Sequence, residues 1–312
     1  MITQFKNLQQ LLDFFKDEDV CAAYYEQQRW GGKPICPHCG CDKIYRTNRG
    51  YKCGNKECRK KFSVTVGTIF ENSKIGLRTW FAAMFLISTS KKGVSSLQLA
   101  TQLGITQKSS WFVLHRIREM LKEKNCEVLE GEVQADETYV GGKNKNRHKD
   151  KKIPNSQGRS CKDKTPVVGL LEKDGRVITF VTTDTEADTL QPIMVANVSA
   201  NSILVTDGYQ SYNGLGTIYN HIRVKHNEGS YVTKVDGKKF HTNGIENFWS
   251  IFKRGYIGIY HFMSKAHLHR YCTEFSYRYN TRLLTSVQRF EDAVKNTSNA
   301  RITYQQLIGK AQ

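Results

Sequence analysis

The chain has 312 residues, enough for about two or three compact units with their own cores, and its 47 Lys and Arg against 29 Asp and Glu leave a formal net charge of +18. A field of that sign attracts polyanions such as nucleic acid, although charge alone does not separate DNA from RNA or an acidic membrane. No run of about 18 apolar residues occurs, and the start, Met1 to Phe15, lacks the basic and apolar stretches of a signal peptide, which argues against a membrane span and predicts a cytoplasmic protein.

From the start to about Thr65 the chain holds most of its nine cysteines. An odd count, clustered spacing and no export signal favour metal binding over disulfides. Cys36-Pro37-His38-Cys39 and the pair Cys53 and Cys58 are separated by a basic, aromatic-containing spacer, Asp42 to Lys52. Each pair can sit on one tight turn, with Pro37, Gly40 and Gly54 suited to the turn geometry, so two turns together present four thiolates to one zinc ion. Cys41 competes with Cys39, but the two-residue gap from Cys36 makes Cys39 the better ligand, and His38 reads as exposed. The plainer alternative, reduced buried thiols, fits poorly with the polar surroundings of Cys39 and Cys41. Four protein ligands leave no open position, so this Zn2+ folds the unit and does no chemistry. Lys43, Arg46, Arg49, Lys52, Arg59, Lys60 and Lys61 around it are candidates for phosphate contacts.

From Leu77 to about Lys124 apolar residues recur at helical spacing, as in Trp80, Phe81, Met84 and Phe85, then Trp111, Leu114 and Ile117. Residues 95–111 read as helix, Gly104-centred turn and helix: Ser95 or Ser96 caps the first, Thr106 the second, and Leu99, Leu103, Ile105 and Trp111 pack the corner. Such a pair can lay its second helix in a major groove, with Gln107, Lys108, Ser109 and Ser110 as the side chains facing DNA. An ordinary two-helix corner is the alternative.

Beyond about Glu132 the pattern becomes short strands rich in β-branched residues: the segment around Asp136, two runs forming a hairpin around Asp174-Gly175, and Ser202 to Gly208. Between the first two lies a basic stretch, Lys143 to Lys164, read as a solvated loop able to touch DNA. Helices are predicted over Glu186 to Val198 and, as one long element, from about Asn243 toward Tyr279. The predicted parts are therefore 1–66, a helix with the zinc unit; 67–128, the helical segment; and 129–312, an α/β domain built on a mixed sheet.

Asp136 interrupts a strand, sharing a face with Gln134 and Thr138, and Asp207 directly follows the apolar run Ile203-Leu204-Val205. Glu246 lies near the start of the last helical stretch, where Asn243, Glu246, Asn247, Ser250, Lys253 and Arg254 share a polar face. Two strand-borne aspartates and a helix-borne glutamate are the parts of a two-metal phosphodiester site, and hard oxygen ligands select Mg2+ or Mn2+. Each acid has a plainer explanation: a strand-edge charge for Asp136, a turn residue for Asp207, and for Glu246 a capping box with Asn243 at the N-cap. Glu137 is the nearest competitor to Asp136, and Asp184 and Asp188 compete weakly with Asp207.

The segments CPHCG, KFSVTVGTIFENSKIGLRTWF, ADETYVGGK, VTDGYQSY and HTNGIENFWSIFKRGYIGIYHFMSKAHLHRYCTEFSYRYN, in that order, resemble the ISXO-like insertion-sequence transposases. The resemblance implies a zinc ribbon ahead of a catalytic domain of ribonuclease-H fold, with Asp136, Asp207 and Glu246 as the three catalytic acids and Lys253 as the basic residue following the third. It also implies cut-and-join chemistry on double-stranded DNA, at element ends and at the target, by a homo-oligomer associated with the nucleoid. The sequence departs from the pattern in the four residues between Cys53 and Cys58, where a two-residue gap is common; related sequences using asparagine as third acid keep Asn243 and Asn247 as rivals to Glu246. Two other functions compete: a nuclease or resolvase that cuts without joining, and a DNA-binding regulator whose transposase-derived domain is inactive.

Overall fold

The computed structural model describes residues 5–122, 127–142, 144–154, 156, 160–224, 232–298 and 300–310. The chain divides into two compact units, Met1–Lys122 with Leu283–Gln312, and Glu123–Arg282.

The first unit opens with α1 (Leu8–Phe14) and α2 (Glu18–Trp30), whose N-caps Asn7 and Asp17 accept hydrogen bonds from the amides of Gln10 and Val20. A three-stranded antiparallel sheet follows, β1 (Ile44–Thr47), β2 (Gly50–Cys53) and β3 (Lys61–Phe62), in that order. Then comes α3 (Leu77–Thr89), apolar over most of its circumference and buried accordingly. The helix pair expected at 95–111 is α4 (Ser96–Leu103) and α5 (Gln107–Met120). Ser95 and Thr106 cap them, and Gly104 takes the left-handed conformation, φ 64°, that ends the first.

The second unit is built on a five-stranded sheet ordered β6-β5-β4-β7-β8, formed by β4 (Glu132–Val140), β5 (Thr165–Glu172), β6 (Val177–Val181), β7 (Ile203–Asp207) and β8 (Asn220–Val224). β4, β5 and β6 pair antiparallel, with Asp174-Gly175 turning the last two, while β4, β7 and β8 run parallel. A hairpin meander extended by parallel strands on its first member is the ribonuclease-H-like arrangement that the family resemblance implied. One face packs on α6 (Ala187–Asn197) through Val133, Ala135, Val168, Leu170, Leu204 and Met194. The small hairpin of β9 (Thr233–Val235) and β10 (Lys238–Phe240) precedes α7 (Asn243–Gly255) and α8 (Leu268–Asn280), which cover the other face through Val167, Leu171, Ile245, Phe248, Trp249 and Phe275. The single long helix expected from Asn243 is thus broken. A π-helical turn, Tyr256–Tyr260, follows α7, and His261 then adopts φ 57°, which stops the helix before α8. Of the basic stretch after β4, the described part holds two short 3-10 turns, Asn144–Asn146 and Lys149–Lys151, while Lys143, Asn155 and residues 157–159 lie outside the described residues.

The chain then returns to the first unit as α9 (Ser286–Lys295) and α10 (Tyr304–Leu307). Phe290 is fully buried among aromatic rings from the other end of the sequence, 5.3 Å from Phe5 and 5.6 Å from Phe81 between ring centroids. Tyr25 and Thr297 share a 2.6 Å hydrogen bond, and buried Arg116 donates to the carbonyls of Ile69 and Ile302 at 2.6 and 2.9 Å. Strand and helix patterns alone attach 283–312 to the α/β domain; these long-range contacts attach it to the helical unit. No helix among the described residues is long and apolar enough to cross a membrane.

Removing the Phe290 ring leaves a cavity inside that aromatic cluster, so Phe290→Ala is expected to cost about 3–5 kcal/mol. Hydrogen exchange is the check: protection should fall in α1, α3 and α9, and a loss confined to β4–β8 would contradict the assignment of this segment to the first unit.

Candidate active site and metal centre

The parallel register pairs Ala135 with Thr206, so the next residues, Asp136 and Asp207, stand side by side on strands about 4.8 Å apart, on one face of the sheet. That is the face covered by α7. Gln134, two residues before Asp136 and buried on the same side, accepts a 3.0 Å hydrogen bond from the amide of Ile245. The first turn of α7 is thereby tied to the strand that carries Asp136, and Glu246 sits in that turn.

Two glycines permit so close a seat. Gly169 lies directly across β5 from Asp136, and a methyl group there would come within 2.6 Å of Trp249 Cζ2 and 2.8 Å of Ile245 Cδ1. A methyl group on Gly244 would lie 2.7 Å from Gln134 Oε1 and 2.8 Å from Leu171 Cδ2. Sequence reasoning placed Gln134 on the face of Asp136 without its bond to α7 and passed over Gly169, though a glycine within the apolar run Val167-Val168-Gly169-Leu170-Leu171 is a signal of close backbone approach.

The acids feel one another. Burial, followed by the charges of Glu137, Asp207 and Glu246, pushes the Asp136 carboxyl up to about 8. Asp207 Oδ1 accepts from the Tyr209 amide at 2.9 Å, which fixes its side chain at the strand end. Glu246 accepts from the Thr242 hydroxyl at 2.7 Å. Since Thr242, not Asn243, is the N-cap, Glu246 falls one position beyond where a capping box requires it. Glu137, the competitor to Asp136, points to the opposite face, where it accepts a 2.8 Å hydrogen bond from the fully buried Tyr212 hydroxyl. Asp184 accepts from the Thr189 hydroxyl and the Glu186 amide at 2.6 and 3.1 Å, an occupation local to the start of α6. Asn243, Asn247, Lys253 and Arg254 are exposed along α7, with Lys253 about 10 Å along the helix from Glu246.

Among the described residues, the only group of three or more metal-binding side chains whose ligand atoms all lie within 4.8 Å of one another is Cys36, Cys39, Cys53 and Cys58. The Sγ–Sγ separations of 3.8 Å for Cys36 and Cys58 and 3.5 Å for Cys39 and Cys53 approach the roughly 3.8 Å edge of a tetrahedron with Zn–S bonds of about 2.3 Å. In the first turn the Cys36 amide donates to Cys41 and the Gly40 amide to Cys36, with Gly40 at φ 74°. Cys41 turns away toward the Lys43 carbonyl, leaving Cys39 in the cluster. The four-residue gap of the second turn is taken up by Asn55, whose carbonyl accepts from the amides of Cys58 and Arg59 and whose side chain accepts from that of Glu57. Burial, and then the sulfurs of Cys39, Cys36 and Cys58, push the Cys53 thiol up to about 12.

At the start of α5, Gln107 and Lys108 are exposed and Ser109 is partly so. Ser110 was expected to face a groove but is fully buried: it falls on the helical face of Val113, Leu114 and Ile117, which packs inward. Gln107 also donates to Ser96 across the turn at 2.9 Å.

Residues 128–280 match the ISXO2-like transposase domain and residues 16–61 the transposase zinc-ribbon domain. The chain is 26% identical over 280 residues, 85% of its length and 91% of the relative's, to an uncharacterized protein in transposable element ISH50 of Halobacterium salinarum. It is 31% identical over 106 residues, 34% of its length and 81% of the relative's, to an uncharacterized transposase-like protein of Haemophilus influenzae. Among solved structures, a Mos1 transposase paired-end complex with left transposon end aligns over 70% of this chain and 78% of that one, at 14% identity and a TM-score of 0.28.

Metal analysis of protein prepared without chelators is expected to find one zinc per chain. Cys41→Ser should keep it and Cys39→Ser lose it; the reverse pattern would reassign the fourth ligand.

The acid cluster has its own signature in pH. A carboxyl raised to about 8 in the folded chain, against 3.8 normally, keeps a proton that the unfolded chain has released, so stability falls as pH climbs from about 4 through about 8. In metal-free buffer above that range Asp136→Asn is expected to be more stable than the parent by roughly 1–3 kcal/mol, with the gain fading toward acid pH. Thermal melts that run parallel for the two proteins at every pH would refute it.

Proposed function

Because the chain belongs to the ISXO2-like transposase family, we propose that it cuts double-stranded DNA at the ends of a mobile element and joins the freed 3′-hydroxyls to target DNA, using Asp136, Asp207 and Glu246 at one site. The observation that carries this reading is the placement of Asp136 and Asp207 side by side on parallel strands, beneath a helix whose Glu246 charge is felt at Asp136.

Asp136, raised by burial first and then by the charges of Glu137, Asp207 and Glu246, belongs with Asp207 and Glu246 to a set of oxygen donors suited to divalent cations. Mg2+ or Mn2+ bound there supplies charge neutralisation at the phosphate and ionisation of the attacking hydroxyl. The chain's own residues do the rest. Gln134 and the two glycines hold α7, and with it Glu246, against the sheet. Lys253 and Arg254, exposed farther along that helix, set positive charge beside the DNA backbone as negative charge grows on the transferred phosphate. The zinc ribbon and the exposed start of α5, with Gln107, Lys108 and Ser109, hold the element end, while the protein's positive charge supports phosphate binding generally. Joining two ends calls for two such sites, hence a homo-oligomer.

The test is Glu246→Gln, which removes a charge while keeping shape and the hydrogen bond from Thr242. Cleavage and joining of a labelled element end are expected to fall by about 10²–10³-fold, with thermal stability and DNA affinity close to the parent's. Near-normal cleavage would take Glu246 out of the site and leave Asn243 or Asn247 in its place; cutting without joined products would make the protein a nuclease.

A further inference from the structure

The turn between α7 and α8 presents a feature that the acid site does not use. Phe262 is 72% exposed and Ile257 67% exposed, both on the tip that follows α7. Single exposed apolar side chains are ordinary on protein surfaces. This tip is instead braced on both sides of the ring. Before it, the Tyr260 hydroxyl donates to Glu274, a fully buried carboxylate paired with buried Arg278, and the Tyr260 ring lies 4.9 Å from that of Tyr271 between centroids. After it, Met263 is buried in the core between α7, α8 and the sheet. Between these anchors His261 adopts φ 57°, with its amide donating to Tyr256 at 2.8 Å, and the Phe262 amide donates to Tyr260 at 2.6 Å. A non-glycine residue in the left-handed region carries strain that the surrounding contacts must hold, and the result is an aromatic ring fixed outward into water.

We propose that Phe262, backed by Ile257, stacks on a nucleobase of the DNA that lies along α7, a role that rests on the DNA-cutting reading above. Charge selects this occupant. Lys253 and Arg254 precede the tip and Lys265 follows it, all exposed, so a second copy of the same basic surface is repelled while a polyanion is attracted. Cations beside an outward aromatic ring make a platform on which a base can stack without regard to its identity. Phe262 follows Glu246 by 16 residues, at most about 21 Å of helix to Tyr260 and about 7 Å of chain beyond it, so the contacted base lies within about eight base pairs of the cut phosphate. An apolar wedge at such a place unstacks a step and bends or opens the end.

The experiment uses the full-length, zinc-loaded protein and duplexes copied from the DNA flanking its own gene, with 2-aminopurine placed in turn at each position within that reach. The parent should change the fluorescence at one position. Phe262→Ala should lose that signal and cleave about 10- to 100-fold more slowly, whereas Phe262→Trp should keep both. A mismatch that pre-opens the same base pair should restore Phe262→Ala, a rescue that a merely structural defect would not show. Cleavage by Phe262→Ala at the parent's rate would overturn the proposal. So would dissociation of Phe262→Ala into smaller species during sedimentation without DNA, which would make the tip an interface between copies. A parent that unstacks the base but never cuts would uphold the stacking and sink the DNA-cutting reading instead.

Discussion

A helix can approach a sheet no more closely than the side chains between them allow, and at Gly169 there is none. Ile245 and Trp249 occupy the space a methyl group would take, and one hydrogen bond from the Ile245 amide to Gln134 fixes the helix in rotation as well as height. Everything on the polar side of α7 inherits its position from that seat. Glu246 stands near Asp136 because the apolar side of the same helix is flush with the strand opposite. Burial first, and then the charges of neighbouring carboxylates, disfavour an ionised Asp136 here, so packing holds in place an arrangement that electrostatics opposes.

The thiol cluster and the carboxylate group are opposite in kind. The thiols converge tightly, four sulfurs from two turns with backbone amides organising each, and they close the coordination sphere. The carboxylates are spread across two strands and a helix, and their oxygens do not gather as closely. Tight closure suits an ion that only cross-links a small sheet, and the looser spacing of the carboxylates is what the proposed DNA-cutting reaction calls for, since a substrate phosphate must then fit among them.

Features encoded by short spacing or by local chemistry were legible in the sequence. The cysteine pairs, the caps at Ser95 and Thr106, the Asp174-Gly175 hairpin and the strand positions of Asp136 and Asp207 each depend on a few neighbouring residues. Features set by distant partners were not. Nothing near Gln134 announces that it will bond a helix more than a hundred residues away, and Glu137 is separated from Asp136 only by the face it takes, where Tyr212 awaits it. Ser110 looked available because it is polar and close to a cap; the phase of α5 decides otherwise. The break after Tyr260 was hidden because the residues around it continue an apolar pattern, and the interruption comes from Tyr260 being anchored to α8 and from the turn at His261.

The return of the chain to its first unit bears on how the protein is made. Residues of the α/β unit are contiguous, whereas the aromatic cluster around Phe5, Phe15 and Phe81 is closed by Phe290, which is synthesised only after the whole α/β unit. On the ribosome the sheet can therefore form while the helical unit still waits for its last helix, leaving a greasy, half-built surface exposed to chaperones and proteases. Synthesis that stops before Phe290 would leave the contiguous α/β unit whole and the aromatic cluster of the helical unit open on one side, an exposed apolar surface of the kind that proteases and aggregation exploit.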